Sequence, residues 1–121
     1  MTRRQKIEQI VVGSLLCEWE RHRHDAGIIT PDMMEDSRNA EALSTMMRQH
    51  GRGQTPTLST VAREMRGHEA HLAAAAIDGD FETNRAVYNM LQELNGTDNY
   101  TAVTFEQYIT RFIELYEQER Q

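Results

Sequence analysis

Apolar residues recur at intervals of three and four in every long segment of this chain, and no segment alternates apolar with polar residues as a half-buried strand would. Helices are the regular structure this pattern supports. The 121 residues predict one domain, and 39% hydrophobic residues, with Trp19, four Tyr, three Phe and seven Met, are enough for a modest folded core. A domain of this size buries roughly two-thirds of the surface its unfolded chain exposes, so a partner subunit can contribute to stability.

The first helix is predicted from Gln5 to about Arg23, with Ile7, Ile10, Val11, Ser14 and Leu15 on one face and Glu8, Glu18 and Arg21 largely elsewhere. Gly13 inside it costs about 1 kcal/mol relative to Ala, which points to a close approach of another backbone. Ile28 to Met34 reads as a hydrophobic connector, with Thr30 capping a short turn that opens on Pro31, and its two Ile and two Met plug the core. A second helix runs from Ser37, as N-cap, to His50, with Ala40, Leu43, Met46 and Met47 inward and Gly51 as its stop.

After a loop through Thr57, a short helix capped by Thr57 or Ser59 carries Leu58, Val61, Ala62 and Met65 and ends at Gly67. Glu69 to Ile77 is a small-residue helix whose alanines permit close approach, and Asp78-Gly79 marks a turn. Asp80 caps a further helix through Phe81, Val87, Tyr88, Leu91 and Leu94, followed by the polar turn Asn95 to Asn99. The last helix opens on the capping-box spacing of Thr104 and Gln107, and places Phe105, Ile109, Phe112 and Tyr116 on a stripe widened by Tyr108, Ile113 and Leu115. That stripe serves either as core or as a partner surface.

Little in the chain supports catalysis. His68 and His71 stand three apart, without the four-residue separation of a helical zinc motif, and His22 and His24 belong to a polar helix end. Cys17, the single cysteine, rules out an intrachain disulfide or a multi-cysteine metal site and reads as structural in an intracellular compartment. Gly51-Arg52-Gly53 lacks the Lys-Ser/Thr of a phosphate-binding loop. No catalytic, cofactor or metal residues are therefore assigned, and neither a signal peptide nor a membrane span is expected.

Residues 1–60 hold eight Lys/Arg and eight Asp/Glu, while residues 61–121 hold five and eleven, so the net charge of -6 belongs to the second half. Arg3, Arg4 and Lys6 form a basic cluster that Arg48, Arg52, Arg63 and Arg66 could approach in the fold, which is too little charge for an extended duplex interface. A helix-turn-helix reader would need Ser59 to Arg66 as its recognition helix.

The order of these signals resembles the N-terminal helical domain of DnaB-type replicative DNA helicases, over roughly residues 5–120. The family's Glu-bearing first helix with a Gly and two aliphatics is similar to Glu8-Gln9-Ile10-Val11-Val12-Gly13-Ser14-Leu15-Leu16. Its Pro-acid-hydrophobic connector resembles Pro31-Asp32-Met33-Met34, with methionines in place of the usual aromatic. Its helix, Gly-containing loop and Pro-x-hydrophobic-x-x-Val start resemble Leu43 to Met47, Gly51/Gly53 and Pro56-Thr57-Leu58-Ser59-Thr60-Val61. Its aromatic-x-x-Leu-x-x-Leu pattern before a final helix is similar to Tyr88 to Leu94 followed by Tyr108, Ile109 and Ile113.

The resemblance implies one all-α domain over 1–121, with an orthogonal helical head over about 5–77 and a C-terminal helical hairpin over about 80–121. It implies a non-catalytic interaction and oligomerisation domain supporting ring assembly and primase or loader contact, with DNA reached only indirectly, no membrane and a cytoplasmic location. Tyr88, Leu91, Phe105, Tyr108, Ile109, Phe112 and Tyr116 are the expected oligomer interface, as a dimer or higher assembly, and Arg48, Arg52, Arg63 and Arg66 the expected partner surface. In such helicases ATP hydrolysis belongs to a separate RecA-like domain, so the chain is either a piece of a larger helicase or a standalone relative. The alternative is a small helical regulator or DNA-binding protein unrelated to helicases.

Overall fold

The computed structural model describes residues 2–79 and 105–119, with the backbone alone for 105–108. The regular elements among them are all helical: α1 (Arg3–Cys17), α2 (Trp19–His22), α3 (Ser37–Gly51), α4 (Leu58–Glu64), α5 (Glu69–Gly79) and α6 (Phe105–Glu119), with two 3₁₀ turns at Asp25–Ile28 and Pro31–Met33. The expected helix from Asp80 to Leu94, the turn at Asn95 to Asn99 and the cap at Thr104 lie outside the described residues.

Thr2 starts α1 with a reciprocal cap: its hydroxyl accepts from the Gln5 amide at 3.1 Å, and its own amide donates to Gln5 Oε1 at 3.0 Å. The helix is central, touching α2, α3, α4, α5 and α6. Every residue from Ile7 to Leu16 is buried, Glu8, Gln9 and Ser14 included. α1 is therefore enclosed around its circumference, where the sequence pattern predicts one apolar face. The reason is the number of its neighbours, which leaves no side of the helix for water.

The expected helix to Arg23 breaks at Glu18, whose φ of -146° and ψ of 70° leave the helical region. The break redirects Trp19, which is buried with its ring centroid 5.4 Å from that of His50 at the end of α3. Beyond α2, Ile29 and Met34 enter the core with Met33 packed beside them, as expected of the connector. Ile28 does not; it is 66% exposed.

α3 is capped by Asp36, one residue before the expected Ser37, through a bond from the Arg38 amide to Asp36 Oδ1 at 2.8 Å. Its inward face carries Ala42, Leu43 and Met46 together with Asn39, Thr45 and Gln49, while Met47 turns toward solvent. The Gln49 amide side chain compensates for its burial by donating to the Thr60 carbonyl at 3.0 Å and accepting from the Thr60 hydroxyl at 2.8 Å, which joins α3 to α4. Thr57 caps α4 by accepting from the Thr60 amide at 3.1 Å. The chain then reverses at Gly67, whose φ of +90° suits a residue without a Cβ.

α5 runs on through Asp78 to Gly79, where the sequence suggests a turn. It lies so close on α1 that a Cβ built on Gly13 would enter the Ala75 carbonyl, and one on Gly79 would enter the backbone of Gly13 and Ser14. The close approach expected at Gly13 is thus realised by a glycine on each helix. α6 closes the remaining side of α1 with Ile109 and Phe112, both almost wholly buried.

Candidate interaction surfaces

The periodicity that makes α6 amphipathic also decides how much of it faces outward. Ile109 and Phe112 are 2% and 0% exposed, packed in the chain's own core, and Ile113 and Leu115 pack partly against it. Ile109 and Phe112, two residues of the expected oligomer interface, are therefore buried in the core of the chain itself. Tyr116 is half-buried, its ring facing the Arg4 guanidinium at 5.3 Å. Tyr88 and Leu91 lie outside the described residues, as do the side chains of Phe105 and Tyr108.

Arg4 gathers much of the charge around this helix. Its Nη2 donates to the Met33 carbonyl at 2.5 Å, its Nε lies 3.5 Å from Glu8, and its Nη1 lies 3.7 Å from Glu35 and bonds Glu119 of α6. Glu8 is fully buried and accepts from the amides of Glu35 at 2.8 Å and Asp36 at 3.1 Å, fastening the start of α3 to α1. Burial lifts the Glu8 pKa above the ordinary glutamate value, against the pull of those two amides, Arg4 and Asn39. Arg4 and Glu8 stand four apart, a spacing readable in the sequence as a helix pair, but an exposed pair is the usual reading of that signal. The enclosure of α1 makes it an internal junction.

The other basic residues divide into engaged and open groups. Lys6 pairs with Asp78 at 2.5 Å, and Gln9 donates to the same carboxylate at 2.7 Å. Arg52 bonds Glu64, Arg48 lies 3.8 Å from it, and Arg48 also donates to Ser44 at 3.3 Å and Thr45 at 3.2 Å. The Arg52 bond and then Gln49 hold the Glu64 carboxyl below its usual range. Arg63 and Arg66 are exposed, but Arg66 lies beyond the end of α4, so the two do not share a recognition-helix face. All four expected partner residues are exposed, and of them Arg48 and Arg52 pair with Glu64 while Arg63 and Arg66 form no ion pair among the described residues.

The histidines are structural participants. His71 Nε2 lies 2.8 Å from Asn39 Oδ1, linking α5 to α3, and His22 is buried rather than part of a wholly polar helix end. Burial lowers the pKa of both. Cys17 is exposed and its thiol donates to the Ala76 carbonyl at 3.4 Å. Among the described residues, no three His, Cys, Asp or Glu side chains converge as a metal site would require, and no helix is long and apolar enough to cross a membrane.

A family model described as the DnaB-like helicase N terminal domain matches residues 1–109. Comparisons with curated proteins and with solved structures return no match.

Proposed function

Because the chain belongs to the DnaB-like helicase N-terminal domain family, we propose that it is a non-catalytic interaction and oligomerisation domain that supports ring assembly of a replicative helicase and contacts primase or a helicase loader. Family membership supports this reading over that of a small helical regulator or DNA-binding protein unrelated to helicases. It also makes a cytoplasmic location part of the proposal.

The match over residues 1–109 carries this reading. The electrostatics support protein contact over direct duplex binding: Arg4, Lys6, Arg48 and Arg52 all face carboxylates of the same chain, so neutralising DNA phosphates would require giving up existing partners. In this proposal Arg63 and Arg66 orient an acidic protein partner, while Tyr88, Leu91 and Tyr116 contribute apolar surface to pairing. Phe105 and Tyr108 belong to the same proposed surface. Ile109 and Phe112 instead hold α6 to its own head.

Sedimentation equilibrium over a wide concentration range tests the pairing. The parent chain is expected to self-associate, and Tyr88→Asp or Leu91→Asp to shift it toward monomer with the helical circular dichroism intact. A parent that stays monomeric at the highest concentration would sink the pairing claim. For the second surface, an Arg63→Glu/Arg66→Glu chain is expected to lose binding to purified primase or loader. Undiminished binding would remove those arginines from it.

A further inference from the structure

Arg4 stands where three parts of the chain meet: α1, on which it sits; the connector, through Met33 and Glu35; and the last turn of α6, through Tyr116 and Glu119. The two ends of α6 are held differently. Ile109 and Phe112 anchor its first half by apolar burial. Past Phe112, Leu115 and Tyr116 are only half-buried, and Glu117, Gln118 and Glu119 are exposed.

We propose that Arg4 is an electrostatic latch for the last turn of α6: its guanidinium, fixed from within by Glu8 and the Met33 carbonyl, clamps Glu119 and Tyr116 to the head. Screening or removing the clamp lifts that turn while the rest of the head stays folded.

The geometry separates the two sides of the latch. Arg4 is held in place by partners that do not belong to α6, so closing the turn does not require ordering a free arginine side chain. The Arg4 side chain is 12% exposed and that of Glu8 fully buried, whereas Glu119 is 47% exposed. Salt therefore reaches the Glu119 side of the clamp more readily than the Glu8 side. Tyr116 follows Glu119, because the two stand three apart on the same helix face. Once released, Tyr116 turns from the head toward a second copy of the chain; that consequence rests on the pairing reading above, whereas the latch is measured without it.

Hydrogen exchange on the whole 121-residue chain, followed by mass spectrometry of fragments, tests the latch. Glu119→Gln removes the outer charge and leaves the interior partners of Arg4 in place; Arg4→Met removes the hub; Lys6→Met, which breaks a different ion pair, is the control. In Glu119→Gln the amides of the last turn are expected to exchange about two- to fivefold faster, the change a partly exposed ion pair supports. Those around Ile109 and Phe112 should be unchanged. Raising the salt from about 0.05 M to about 1 M should speed the same turn in the parent chain but not in Glu119→Gln. If Arg4→Met fails to fold, Glu119→Gln decides alone. Parent-like exchange in that variant, or equal acceleration along the whole of α6, would overturn the proposal.

Discussion

Gly13 and Gly79 meet backbone to backbone where α1 crosses α5, so that a methyl group on either would occupy the main chain of the opposite helix. Helix propensity alone has Gly13→Ala stabilising by about 1 kcal/mol. The crossing reverses that sign. Gly13→Ala and Gly79→Ala are each expected to lose about 1–3 kcal/mol or more, because backbone cannot step aside as a flexible side chain can. Urea unfolding measures this, and a gain in stability for either variant would contradict the crossing.

Gly13 was also the most legible point in the sequence. A glycine in the middle of a strong helical pattern has a cost, and the compensation was expected where the structure has it. The cap at Thr57 and the short turn that opens on Pro31 were legible for the same reason, since they depend on residues within a few positions. The burial of Glu8 was not legible. Periodicity reports which face of a helix is apolar, but it cannot report that five other helices close around α1. The break at Glu18 escaped for a related reason, because the distant His50 ring against Trp19 is invisible from local spacing. At the proposed surfaces, the order of motifs led to the family, while the division of the α6 stripe into buried Phe112 and half-buried Tyr116 required the fold.

Glu8 should make stability depend on pH in the direction opposite to a surface carboxylate. Its folded pKa lies above the ordinary 4.5, so its favourable contribution is complete below that value and is lost as pH rises through the folded pKa. The stability of Glu8→Gln relative to the parent should therefore climb as pH rises from about 4 toward neutrality. Denaturant midpoints taken across that interval provide the comparison. A difference that stays flat or falls with pH would show that burial does not dominate at Glu8.

His22 and His71 work the other way. Burial holds both pKa values below the ordinary 6.5, so the neutral rings favour the folded state fully above that value, and the contribution is lost as pH falls through the folded pKa values. The parent should lose stability on acidification below pH 6.5, and His22→Gln/His71→Gln should lose less. Thermal melts of the two chains at matched pH decide it, and identical slopes would exclude the histidines as the source.

Gln49 is fully buried and satisfied at both ends of its amide by Thr60. Gln49→Leu keeps the approximate volume but leaves the Thr60 carbonyl without that donor, which is expected to cost about 1–3 kcal/mol. The loss should be accompanied by faster amide exchange in α4, whose attachment to α3 the pair provides. A Leu variant as stable as the parent would mean that the polar link contributes only alignment.

The enclosure of α1 also sets an order on synthesis. Among the helices described, α1 leaves the ribosome well ahead of its closest companion, α5, which starts more than fifty residues later, and of α6, which starts at residue 105. Until then its aliphatic side chains have no lasting shelter, and every contact that shelters them closes a long stretch of chain. The helix made before the others described is thus among the last to be enclosed, and the nascent domain is most exposed to chaperones and to misassociation through α1.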